Sequence, residues 1–135
     1  MNAPRQPAQP APSRCLRWLP YFFAAGGIFW LVQLTQAAAL AAAPLGRDQM
    51  VRSLMNAGFT RNTTSALTVY FVMVFFFEIS AVVLHGTAYY GLKRLRIWGW
   101  IAAVIAAAAW SLVLIGIPVL VFLLQRQTRQ AFGVS

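Results

Sequence analysis

Two side chains in this 135-residue sequence place reactive chemistry in an apolar setting. Glu78 lies in a run at 66–92 that carries no other formal charge, and His85 follows seven residues later in the same run. Seven residues make two helical turns, so the pair shares one helix face about 10.5 Å apart along the axis. A water chain across that gap would form a proton relay. An acidic residue at the centre of a bilayer-spanning helix costs about 2.5–3.5 kcal/mol on insertion scales. Such residues mark proton, cation or substrate paths. Burial favours the neutral acid, so the alternative is a neutral carboxyl that joins helices by hydrogen bonding. His85 also has two roles open, as relay or as haem ligand, with Met73 or another chain as second axial ligand. The plainer reading is a histidine hydrogen-bonded near an interface, with Gly86 beside it as a packing residue or an approach for something bulky.

The other polar residues of the apolar runs gather at one depth. Gln33, Thr35 and Gln36 lie near the centre of the first run, Glu78 and Ser80 of the second, and Ser111 of the third. A polar group in hydrocarbon needs a partner. Glu78 is therefore expected to meet Gln33 or Gln36, with Ser111 nearby or a partner subunit supplying what is missing. The stripes Gly99-Ala103-Ala107 and Ala37-Ala41 allow close helix approach. One Cys and one His exclude a disulfide framework, a Cys-rich metal site and a multi-His site within one chain. No nucleophile–base set, phosphate loop or metal-ligand spacing is present, so catalysis by this chain alone is not expected.

The elements that must position these residues follow from composition. Of all residues 60% are hydrophobic and 10% charged, with 11 Lys+Arg against 2 Asp+Glu and a net charge of +9. Water-soluble domains average about 45–50% apolar and 25% charged. The pattern predicts an all-α membrane protein. Three transmembrane helices are expected at about 20–43, 66–92 and 97–124, the last kinked at Pro118. A re-entrant hairpin broken near Gly116–Pro118 is the other solution for that third run. The first run is too long for a secretory signal's apolar core of about 7–15 residues and reads as a retained helix. A short amphipathic interfacial helix is expected at about 48–57, capped by Asp48 and ended by Gly58. It presents Met50, Val51, Leu54 and Met55 on one face and Gln49, Arg52, Ser53 and Asn56 on the other. Thr60, Asn62, Thr63, Thr64 and Ser65 offer caps for the next helix. Residues 1–17 form a Pro/Arg-rich arm, 18–125 the membrane domain, and 126–135 a polar tail. Cys15 reads as a free thiol near the headgroups.

The cations fall in the gaps between the apolar runs, which suits orientation in a bilayer rather than nucleic-acid binding. Three spans put Arg5, Arg14, Arg17, Lys93, Arg94 and Arg96 on one side and Arg47, Arg52, Arg61, Arg126 and Arg129 on the other. Trp18, Tyr21, Tyr89, Tyr90, Trp98 and Trp100 form an interfacial belt beside the shorter basic turn. A cytoplasmic N-terminus and an outside C-terminus are expected from this.

The segments 91–100 (GLKRLRIWGW), 116–118 (GIP) and 130–133 (QAFG) resemble small uncharacterised bacterial multi-pass inner-membrane proteins, a likeness over a third of the chain that implies no activity. Abundant Ala, and Arg in place of Lys, suits a GC-rich bacterial genome. His85 in the second run also resembles the haem-ligating His of succinate dehydrogenase membrane anchors. That family's His-x-x-x-Gly-x-Arg-His stretch and its Ser/Arg quinone pattern are absent here. Small drug–proton antiporters also use one membrane Glu, in the first of four spans. The leading expectation is an accessory subunit of a larger inner-membrane complex, with lipid and other membrane subunits as partners and no cofactor. The alternatives are a homo-oligomeric proton-coupled transporter or channel built on Glu78 and a haem-ligating anchor built on His85.

Overall fold

The computed structural model describes residues 14–59, 62–112 and 114–134, with side chains described from Arg17 onward. Most of the N-terminal arm, the Cys15 thiol, Thr60 and Arg61 lie outside the described residues. Every regular element among those described is a helix: α1 (Arg14–Ala42), α2 (Pro44–Asn56), α3 (Thr63–Lys93), α4 (Ile97–Ser111), α5 (Gly116–Leu124) and α6 (Arg126–Ala131).

α1 and α3 run antiparallel and in register. Phe23 meets His85 at one level, and Trp30 meets Phe77 two turns further along. Both helices are long and apolar enough to cross a bilayer, over Arg17–Ala42 and Thr63–Lys93. Within their most apolar 18-residue stretches only 6% and 0% of residues are buried by the protein itself. The core helix of a soluble protein would hide such a face; these present it outward. α2 joins their far ends. It begins at Pro44, four residues before the expected start, because a proline's missing N–H costs nothing in the first turn. Asp48 therefore sits inside the helix and caps nothing. Its end is as expected: Gly58 turns left-handed (φ 93°), Gly58 N–H bonds Met55 O, and Phe59 N–H bonds Leu54 O. On its expected apolar face Met50, Val51 and Leu54 are half-buried and Met55 is exposed. α3 begins after Asn62 with no side-chain cap.

The basic turn at 93–96 reverses the chain into α4, and the two helices cross at glycines. A Cβ on Gly91 or on Gly99 would overlap the other's backbone. With Ala103 and Ala107 this is the predicted small-residue stripe, and all are buried.

The third apolar run does not form one helix. α4 stops at Ser111 after 15 residues, about 22 Å. Leu114 takes a left-handed φ of 66°, and α5 restarts at Gly116. α5 then returns along α4, where the Trp100 indole Nε1 donates to Leu123 O at 3.0 Å. A Cβ on Gly116 would overlap the backbone of Ala107 and Ser111. Pro118 is the third residue of α5, where its absent N–H has no helical acceptor to miss, so it starts a helix rather than kinking one. The hairpin brings the chain back to the level of Trp100. Arg17, Lys93, Arg94, Arg96, Arg126 and Arg129 therefore lie toward one end of the bundle, here the near end, while Arg47 and Arg52 lie on α2 at the far end. The core (Leu19, Phe23, Ala88, Leu92, the α4 alanines, Leu123 and Phe132) fills the near half alone.

Candidate functional site

His85 sits where α1, α3 and α4 meet, with 2% of its surface exposed. Its Nδ1 lies 2.7 Å from Ala81 O one turn back on α3. A carbonyl only accepts, so Nδ1 carries the proton. Nε2 then offers its lone pair, and the Trp110 indole N–H donates to it at 2.8 Å. One neutral tautomer satisfies both contacts. α1 admits the ring by having no side chain there: a Cβ on Gly26 would stand 2.5 Å from His85 Cδ2 and 2.8 Å from Nε2. Phe23 flanks the imidazole at 6.0 Å between centroids and Trp110 stands edge-on at 6.2 Å.

The aromatic packing continues toward mid-depth. Trp110 contacts Phe29 and Trp30, and Trp30 contacts Phe77. Beside this cluster Glu78 is 9% exposed, and its Oε2 is buried without a hydrogen-bond partner. Trp30 Nε1 is buried and unpartnered as well. One helix thus brings an unused donor and the other an unused acceptor to the same level, since Trp30 packs on Phe77, the residue before Glu78.

The expected polar layer does not assemble. No hydrogen bond joins Gln33 or Gln36 to Glu78; Gln33 is half-buried and Gln36 exposed. Thr35 Oγ1 donates to Leu31 O and Ser111 Oγ to Ala107 O, so each is satisfied by its own helix. Ser80 is exposed. Glu78 and His85 share α3 but make no direct contact.

The interfacial aromatics divide. Trp18, Tyr21, Tyr90 and Trp98 are exposed at the near end. Trp98 stacks on Tyr90, and the Arg94 guanidinium lies over the Tyr90 ring at 4.4 Å. Tyr89 is half-buried. Trp100 is half-buried and acts as the hairpin's clamp rather than as a belt residue. Trp30 and Trp110 were not singled out by sequence reasoning. A signal existed, since a tryptophan far from either end of an apolar run must place its N–H on an acceptor.

The arrangement is suited to binding helices together at His85 and to offering one unpaired carboxyl at mid-depth. Nε2, the nitrogen through which His85 would ligate a haem, accepts from the Trp110 indole here, while Nδ1–H on a backbone carbonyl is the arrangement such a ligand would share. No group of three or more His, Cys, Asp or Glu gathers among the described residues. Comparison with family models, characterised proteins and solved structures returned no match, so the geometry alone carries the functional argument.

Proposed function

We propose that this chain is a small integral-membrane subunit whose fold is completed by helices of another polypeptide. The observation that carries this is where the hairpin stops. Trp110, at the end of α4, packs on Trp30, which is level with Phe77 near the middle of α3. The turn beyond it is 90% exposed at Leu112 and 73% at Leu114. Past that level, among the described residues, α1 and α3 have only each other and α2, with Leu31, Val32, Val69, Met73 and Phe76 outward. Irregular backbone at membrane depth persists only where protein or a water-filled cavity covers it. A partner helix seated on the tip and along the far half of α1 and α3 would supply that cover.

Charge supports membrane residence and gives an orientation. Of the eight cations whose side chains are described, six lie at the near end and two at the far end. The positive-inside rule then favours a cytoplasmic near end, with Arg17 and Arg129 both on that side. This reading differs from the outside C-terminus expected from three spans. Single cysteines at Arg94 and Gln127, both exposed, in a background without Cys15, should both resist an impermeant thiol reagent in intact cells and both react after permeabilisation. Opposite behaviour of the two positions would restore a third span. Purification in mild detergent tests the subunit itself: a second polypeptide should accompany the chain at fixed stoichiometry.

The unpartnered Glu78 carboxyl favours a second reading, a homo-oligomeric proton-coupled carrier or channel. In it a neighbouring copy covers the hairpin tip and Glu78 exchanges a proton. A symmetric homo-oligomer with no other chain would support it. Glu78→Gln should then abolish proton flux driven by a pH gradient in liposomes while the fold persists.

A further inference from the structure

Near the basic end, α1 and α3 part to leave an open groove of about 590 Å³, within the usual 300–1,000 Å³ of ligand sites. The groove is built from two matching helical triplets. Arg17, Pro20 and Tyr21 face it from α1, and Tyr89, Leu92 and Lys93 face it from α3, both at the i, i+3, i+4 spacing of one helix face. Leu95, in the turn after α3, and Trp18 also line it.

We infer that this groove binds the headgroup of one anionic phospholipid, its phosphate held between Arg17 and Lys93. The inference rests on the membrane residence argued above. Charge complementarity points to an anion. The sequence has two acidic side chains, Asp48 on α2 at the far end and Glu78 at mid-depth, so neither is placed to neutralise the groove. The walls point to a lipid rather than to a soluble anion. Besides the two cations the groove is lined by Pro20, Leu92 and Leu95 and by aromatic rings, which suit a glycerol backbone and the first acyl carbons. Tyr and Trp at this level are the side chains that settle at the headgroup boundary. Basic pockets between helices on the cytoplasmic side recognise anionic headgroups in this way. Lys93 Nζ stands 5.7 Å from the centre of the Tyr89 ring, which fixes one cation at the groove's wall.

The test uses the full chain in nanodiscs of phosphatidylcholine and phosphatidylglycerol in equal amounts, released for native mass spectrometry. One phosphatidylglycerol should be retained in clear preference to phosphatidylcholine. Each cation removed should weaken that preference about fivefold. Arg17→Gln/Lys93→Gln should therefore lose it, while Arg17→Lys/Lys93→Arg should keep most of it. The far-end pair Arg47→Gln/Arg52→Gln should leave it unchanged. Unaltered far-ultraviolet circular dichroism shows that each variant has kept its helices. Equal retention of the two lipids, or preference persisting in Arg17→Gln/Lys93→Gln, overturns the proposal. Inorganic phosphate at 100-fold excess should leave the lipid in place; displacement by it would assign the groove to a soluble anion instead. A chain that does not enter nanodiscs at all fails the membrane reading, which separates that failure from failure of the lipid site.

Discussion

Gly26 and Gly27 are neighbours on α1, yet the same substitution should act on them with opposite sign. Replacing glycine by alanine inside a helix gains about 0.5–1 kcal/mol, because alanine loses less conformational entropy on folding. At Gly27 that gain stands alone. A Cβ there meets His85 Cβ at 3.6 Å, an ordinary van der Waals contact. At Gly26 the Cβ would stand 2.5 Å from His85 Cδ2 and 2.8 Å from Nε2, where non-bonded carbons rest at about 3.5–4.0 Å. The imidazole is held by Ala81 O at 2.7 Å and by the Trp110 indole at 2.8 Å, so it gives way only by losing a hydrogen bond. Overpacking costs about 1–3 kcal/mol and an interhelical hydrogen bond in a membrane about 0.6–1.7 kcal/mol. After the helix gain, Gly26→Ala should destabilise by about 1–4 kcal/mol.

Equilibrium unfolding in dodecylmaltoside micelles titrated with sodium dodecyl sulfate, followed by circular dichroism, reads both values. Gly27→Ala should shift the midpoint up and Gly26→Ala down. Adding His85→Ala to Gly26→Ala should recover the steric part, because the obstructed ring is gone. The double variant would then sit closer to His85→Ala than the sum of the single effects allows. Shifts of the same sign at the two glycines, or strict additivity of Gly26→Ala with His85→Ala, would refute the placement of His85 against α1.

Trp110→Phe leaves the His85 Nε2 without its donor, and a double-mutant cycle with His85→Leu should return a coupling of about 0.6–1.7 kcal/mol; a coupling near zero would dissolve the pair. Gly99→Ala forces a methyl onto the Gly91 backbone and should lower stability by about 2–3 kcal/mol in the same titration, whereas Gly86→Ala, with nothing near its added carbon, should not lower it. Trp100→Phe removes the bond to Leu123 O and should speed amide hydrogen exchange in α5 by about tenfold with α3 unchanged; equal acceleration in both helices would mean that the hairpin does not open on its own. Because Glu78 Oε2 has no partner, Glu78→Leu should stabilise the isolated chain by about 1–3 kcal/mol while weakening its retention of a partner polypeptide; destabilisation of the isolated chain would show that the carboxyl already holds the helices together.

The long helices were legible because their evidence is local. An uncharged run of 23 residues at 21–43 and a run at 66–92 whose one formal charge is Glu78 admit few solutions, and α1 and α3 follow them. The stripe Gly99-Ala103-Ala107 was legible for the same reason, since close approach needs small residues at one-turn spacing wherever the partner lies. The polar layer was not. Depth along a run is readable from sequence, but rotation about the helix axis is not, and Gln36 stands at the right level on an outward face. Glycine position carried that missing information: only at Gly26 can α1 admit an imidazole, and the sequence does not say which residue a gap receives.

The third run shows how one local ambiguity propagates. Its 28 residues exceed one span and fall short of the roughly 40 that two would need, so composition alone fits either a long helix or a hairpin. What decides lies outside the run's own pattern. The α3–α4 crossing at Gly91 and Gly99 sets α4 close against α3, and the Trp100 indole finds its acceptor only if Leu123 returns to its level. Choosing the hairpin moves Arg126 and Arg129 to the other end of the bundle. Among the described side chains the cation distribution is then six against two, where three spans would have made it four against four, which hardly orients a protein. The turn that reverses the chain also leaves α1 and α3 uncovered beyond mid-depth, next to the unpaired Glu78. The proposed orientation and the proposed covering partner thus rest on the same turn between Ser111 and Gly116, and a single continuous helix over 97–124 would remove the basis for both.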